Sequence, residues 1–281
     1  MKEYTPIWES LQRQRYFRKQ LILEIEDELK CSIIIYMGFS IPIIPDDIPY
    51  FEEMLHEIPY SSPICLILFS DGGALDTADN IIKLVRNTTK DKQFKVIIPE
   101  RAKSAATLIC LGSDEIIMGD TSELGPIDPL IPVYTPNGMV YRPAQSIINL
   151  IDEINDVGLK PAYISLLNNL DLAIIDEARK SIRRATSCAK EWLSKYMCKI
   201  NNKSDAIACD LADPEKWLSH GHGINYEKAK ELGLNINYMD KENALWGKIW
   251  NIYVSYFSER ITNGKIFESH KVYLPFSNQG R

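Results

Sequence analysis

Four short apolar runs punctuate the first part of the chain: SIIIYMG (Ser32–Gly38), ICLILFS (Ile64–Ser70), FKVIIPE (Phe94–Glu100) and DEIIM (Asp114–Met118). Uninterrupted runs of this length, unlike alternating ones, predict strands buried on both faces. Amphipathic stretches lie between them. Pro49–His56 carries Phe51, Met54 and Leu55 on one side, Ala74–Arg86 follows the second run, and a small-residue helix opens at Ser104. Strand and helix in alternation predict parallel βαβ units, with helices over the sheet. Upstream, Trp8–Leu29 reads as a polar helix with a thin apolar stripe of Ile22, Leu23, Ile25 and Leu29.

The pattern changes beyond Asp128. Within Pro132–Pro143 a TPNG turn joins two short extended pieces. Helices are predicted at Ala144–Val157 and Leu172–Met197, with shorter ones at Asp205–Leu211 and Pro214–Leu218. Asn225 caps a further helix that Gly233 stops, and a short strand follows. Asn243–Ile261 predicts a Trp/Tyr-rich helix that docks onto the body or onto another subunit. The segment after it, containing His270, has no pattern that assigns an element.

Composition narrows the class. With 281 residues, 45% hydrophobic and 25% charged, the chain can bury a substantial core. A net charge of -6 with scattered Lys and Arg argues against nucleic acid as a partner. No apolar run reaches the ~20 residues of a membrane helix, and the polar start is unlike a secretory signal. The expectation is a cytoplasmic protein with no integral membrane segment. Six cysteines without a CxxC pair or metal spacing predict reduced, structural thiols.

Chemistry converges on two strand ends. Gly72-Gly73 follows the Ile64–Ser70 strand at its carboxyl end, where open parallel sheets place their ligands. Ser104 follows the next strand at the same edge and opens a helix, where backbone N–H groups converge. As an N-cap, Ser104 needs no chemistry at all. As a nucleophile, it would have a two-donor oxyanion hole in an N–H of Gly72 or Gly73 plus that of Ala105.

The patterns FSDGGALDTA (Phe69–Ala78), PERAKSAATL (Pro99–Leu108) and ELGPIDP (Glu123–Pro129) resemble the serine dehydrogenase proteinase family. That family is grouped with signal peptide peptidase A and the Clp protease proteolytic subunit. The resemblance implies a Clp/crotonase-like α/β fold of stacked ββα units with a parallel sheet covered by helices; it leaves the N-terminal helix and the aromatic tail uncovered, and these are expected as helical extensions. The corresponding division is 1–31 for the N-terminal extension, 32–240 for the protease domain and 241–281 for the aromatic helix and tail. It also implies Ser104 as nucleophile, Gly73 and Ala105 as oxyanion donors, peptide or protein substrates, a homo-oligomer, and no metal or organic cofactor. One departure is Asp71, where relatives carry S/T-P before the glycines. Its carboxylate would oppose an oxyanion unless turned away or paired.

The general base is left open. Clp-type subunits carry a His about where Asp128 stands here, and an Asp where this chain has SHGHG (Ser219–Gly223). A swapped arrangement would set Asp128 near the serine with His220 or His222 in reach. The peptidase A branch uses a Lys instead. The matching helix here has none, and Lys160 comes one turn later. Two other readings stand beside the serine peptidase: a weak or dead peptide-binding or assembly protein on the same fold, and a crotonase-type thioester enzyme.

Overall fold

The computed structural model describes residues 6–7, 12–135, 138–157, 173–199, 202–259 and 263–277. A helix α1 (Arg13–Leu29) precedes β1 (Ser32–Phe39), α2 (Asp47–His56), β2 (Ile64–Phe69), α3 (Leu75–Thr89) and β3 (Phe94–Ile98). Then come β4 (Arg101–Ala102), α4 (Ala105–Leu111), β5 (Glu115–Met118), β6 (Glu123–Leu124), and the hairpin β7 (Leu130–Thr135) and β8 (Gly138–Pro143). The later part contains α5 (Ala144–Val157), α6 (Ala173–Lys195), α7 (Ser204–Ala212), α8 (Pro214–Trp217), α9 (Tyr226–Leu232), β9 (Ile236–Tyr238) and α10 (Ala244–Ser258). Two strands close the described chain, β10 (Gly264–Glu268) and β11 (Tyr273–Ser277). No described helix is long and apolar enough to cross a membrane.

The central sheet runs β11-β10-β1-β2-β3-β5-β9. From β1 to β9 all pairings are parallel, and β10 and β11 add on antiparallel. Each new parallel strand is laid beside the last, always in the same direction. Right-handed crossovers wound one way put their helices on one face. The side-chain alternation follows suit. Ile34, Tyr36, Leu66, Leu68, Val96 and Ile98 pack under α2, α3 and α4 in one core. Ile33, Ile35, Met37, Cys65, Ile67 and Ile97 point the other way, into a second core.

Two helices far apart in the chain cover that second face. Ile22 and Ile25 of α1 cover it together with Trp246, Ile249, Tyr253 and Tyr256 of α10. The aromatic helix therefore docks onto the body. A third, small cluster of Ile131, Ala144, Ile147, Ile148 and Ala178 holds the β7–β8 hairpin against α5 and α6. All six cysteines are free thiols, four of them buried.

The segment with no predicted element is the finding that departs from expectation. It forms β10 and β11, and β10 pairs with β1 along Ile35–Phe39. Its polar residues are buried in ion pairs, which hides them from a reading based on apolar runs. Glu268 pairs with Arg18 at 2.9 Å, both fully buried. Lys265 Nζ lies 2.5 Å from Asp47 Oδ1, with both side chains almost wholly buried. Asp47 Oδ2 accepts from Tyr36 Oη at 3.0 Å and from the Ile44 N–H at 3.1 Å. Removing one partner of such a pair leaves a buried charge alone, at a cost of about 3–5 kcal/mol. Lys265→Met is therefore expected to lower the unfolding free energy by that order, measured by urea denaturation. Lys265→Met combined with Asp47→Leu should lose less than Lys265→Met alone.

Candidate active site

Backbone pairing beyond the main sheet brings the two strand ends together. Ser70 forms a parallel bridge to Ala102, its N–H donating to the Arg101 carbonyl at 3.1 Å and its own carbonyl accepting from the Lys103 N–H at 3.0 Å. On the other side, the Ile43 N–H donates to the Gly72 carbonyl at 2.8 Å, and the Ala74 N–H to the Ile43 carbonyl at 2.9 Å. Both glycines have left-handed φ values, +102° and +149°. A Cβ on Gly73 would fall 2.3 Å from the Ile43 carbonyl oxygen. A Cβ on Gly72 would fall 2.8 Å from Ser104 Cβ and 3.2 Å from the Ala105 nitrogen. Only glycine permits that approach.

The three N–H groups expected as oxyanion donors differ in how they are bonded. Gly72, expected as an alternative donor, gives its N–H to Ser70 Oγ at 3.1 Å. Gly73 sits at the centre of the parallel bridge to Ile43, whose own N–H and C=O bond the flanking residues. The Gly73 N–H thus faces away from Ile43, and among the described residues it has no acceptor. The same holds for Ala105, whose N–H starts a helix and has no intrahelical partner.

Ser104 stands at the N-cap position of α4 without a side-chain capping bond. Its backbone has φ 51° and ψ -119°, which a non-glycine residue rarely adopts. Holding a side chain there costs on the order of 1–3 kcal/mol, and such turns cluster at functional sites. Among the described residues Ser104 Oγ has no hydrogen-bond partner.

Asp128 and His220 meet. His220 Nδ1 lies 2.8 Å from Asp128 Oδ1. Facing a carboxylate, which only accepts, Nδ1 is the donor of this pair, and in the neutral imidazole Nε2 is then the acceptor. Asp128 is buried, and its second oxygen has no partner among the described residues. Its loop is anchored by the Ile127 N–H on the Leu211 carbonyl of α7 at 2.8 Å, and by Gly125 bonded to Thr107 Oγ1 of α4. The His220 loop is anchored by an antiparallel bridge between Ile224 and Leu124 of β6. His222, the other candidate, is exposed, packs its ring 5.2 Å from that of Trp217, and does not line the site. Lys160 lies outside the described residues.

Ser104, Ala105, Gly72, Gly73 and His220 line one cavity of about 1080 Å³. Its walls are apolar: Ile41, Ile43, Leu75, Leu108, Ile127 and Leu130. Tyr141 of β8 and Lys180, Ser181 and Arg184 of α6 also line it. Asp71, also at the rim, is paired: Arg101 Nε lies 2.5 Å from its Oδ1, and the guanidinium stacks over the Phe69 ring at 4.4 Å. The partner is thirty residues from Asp71 in the chain, so no local signal announced it. Burial pushes the Cys110 thiol far up and Cys188 up to about 12, so neither competes as a nucleophile.

Helix α6 is tied down across the cavity. Arg184 reaches Asp76 at 3.0 Å and Asp79 at 2.9 Å, and Trp192 Nε1 donates to Asp79 at 2.8 Å. Burial alone would raise the Asp79 carboxyl, but bonds from Lys83, Trp192 and Arg184 outweigh it and bring it from 3.8 to about 2. A lowered folded-state value means that ionised Asp79 contributes stability above 3.8, lost as pH falls through about 2. Asp79→Asn is expected to lower stability near neutrality and to flatten the acid limb between pH 3.8 and 2, followed by urea midpoints. At the elbow, Ser104→Gly should be about 1–2 kcal/mol more stable than Ser104→Ala, because glycine releases the backbone strain.

The chain belongs to the family of ClpP-like SDH-type serine proteinases, which it matches over residues 12–251. It is similar to two uncharacterised proteins of Methanocaldococcus jannaschii, 30% identical over 189 residues and 32% identical over 190. Each alignment spans 66% of this chain but only 58% and 57% of those relatives' own lengths. Among solved structures, it is similar to a mutant of the 1510-N membrane-bound stomatin-specific protease, at 16% identity, 72% and 76% coverage of the two chains and a TM-score of 0.42. ClpP1 from Listeria monocytogenes is matched at 13% identity, 76% and 94% coverage and a TM-score of 0.42.

Proposed function

We propose that the chain is a serine peptidase in which Ser104 attacks the substrate carbonyl, His220 is the general base and Asp128 orients it. The observation that carries this reading is the 2.8 Å His220–Asp128 pair, whose histidine lines the same cavity as a serine held on a strained turn. His220 Nε2 takes the Ser104 proton as Oγ bonds to the carbonyl carbon. The oxyanion is held by the Gly73 and Ala105 N–H groups, and the proton then passes to the leaving amine. Water, deprotonated by the same imidazole, hydrolyses the acyl-enzyme and restores the serine. In chain order the set runs Ser, Asp, His, so the acid and base positions are exchanged relative to the Clp-type arrangement. Pairing of Asp71 with Arg101 relieves the repulsion that would favour a dead enzyme. The size and largely apolar walls of the cavity suit a peptide, and the homo-oligomer implied by the resemblance is part of the same proposal.

A fluorophosphonate probe tests it. Labelling is expected at Ser104 and absent in Ser104→Ala. His220→Ala should slow labelling by about 10²–10⁴-fold, and Asp128→Asn by up to ~10⁴-fold through the wrong tautomer. A folded wild-type protein that stays unlabelled, or is labelled elsewhere, would overturn the reading.

A further inference from the structure

We propose that Lys103 is a positioning residue that fastens the His220 loop and the Asp128 loop to the strand end carrying Ser104. The inference rests on the reading of those three residues given above. Lys103 precedes the serine, and its side chain turns away from the cavity into the seam between the two loops. Its stem crosses Gly125, where an added Cβ would fall 2.7 Å from Lys103 Cδ. Its ammonium is bonded to Glu123 Oε2 at 2.7 Å, the Leu124 carbonyl at 3.2 Å and the His222 carbonyl at 3.2 Å. An ammonium has three donors, and all three are used. The side chain is only 11% exposed, so its charge is largely removed from water, which is costly without such partners.

The placement of these bonds separates Lys103 from an ordinary ion pair. One contact lies two residues from His220, and the stem lies three residues from Asp128. The two loops are not held equally by other means. Gly125 is also bonded to Thr107, its N–H donating to Oγ1 at 3.0 Å. The His220 loop is sparsely packed: Leu218, Ser219, Gly221 and His222 are all exposed. Upstream of the Ile224 bridge its ties among the described residues include the bond from Lys103 to His222, the His220–Asp128 pair, the packing of the His222 ring on Trp217 and the close approach of Gly223 to the Glu123 carboxylate, itself held by Lys103. Loss of the ammonium should therefore fall on the placement of the base rather than on the cavity.

The test is the concentration dependence of fluorophosphonate labelling. Lys103→Met keeps the stem over Gly125 and removes the donors. It is expected to lower the saturating rate constant about 10²-fold, the scale of a 1 Å misplacement, with the half-saturating concentration within about twofold of wild type. Lys103→Arg, which keeps a cation and its donors, should recover most of the loss, whereas a merely stabilising residue would not give this split. Should circular dichroism show K103M unfolded, Glu123→Ala loosens the same ammonium from its exposed side, with a several-fold loss in the saturating constant expected. Labelling of K103M, or of E123A in its place, at the wild-type rate overturns the Lys103 inference alone. An unlabelled wild-type protein overturns the hydrolase reading and this inference together.

Discussion

Everything at the candidate site depends on how closely two backbones approach after they leave the sheet. The Gly72 α-carbon lies against Ser104, and the Gly73 α-carbon against Ile43, with no room for a side chain at either contact. The approach is enforced by the bridges of Ser70 to Ala102 and of Ile43 to Gly73, which continue the parallel pairing past the last strand residues. Three chain segments are thereby fixed by main-chain bonds, and the serine elbow is strained because its neighbours leave it no other course. A site built this way owes its geometry to the backbone more than to any side chain.

The sheet topology creates a second requirement. Winding the parallel strands in one direction stacks α2, α3 and α4 on one face and leaves the opposite face apolar and open. Helices α1 and α10 close it, packing together over β1, β2 and β3. Buried charge locks this arrangement: Arg18 on α1 bonds Glu268 on β10, and Lys265 on β10 bonds Asp47, which also holds the Ile44 amide on the cavity wall. Strand β10 thus carries two separate buried ion pairs, one toward α2 beside the cavity and one toward α1.

Much of this was legible in the sequence, for physical reasons that also mark the limit. Buried parallel strands are apolar on both faces, so Ser32–Gly38, Ile64–Ser70, Phe94–Glu100 and Asp114–Met118 declared themselves. The glycine pair and Ser104 were visible because close approach and turn geometry restrict residue type. The strand Gly264–Glu268 was not, since Lys265 and Glu268 are buried by pairing and break the apolar pattern. The choice between His220 and His222 was also beyond reach. Two histidines separated by one glycine look alike until the loop is folded, and only the first meets Asp128. The Arg101–Asp71 pair and the Lys103 contacts join segments twenty or more residues apart, with no periodicity to betray them.

The outermost strand, β11, carries Pro275 opposite Ile266 of β10. Proline offers no amide hydrogen, which interrupts the ladder of donors that an unpaired margin would present to a newcomer. At the far margin β9 is three residues long, too short a template for a stable additional ribbon. Both borders of the β-layer are blunted in this manner. Among the described residues, neither margin of the sheet thus offers a long uninterrupted template for edge-to-edge pairing.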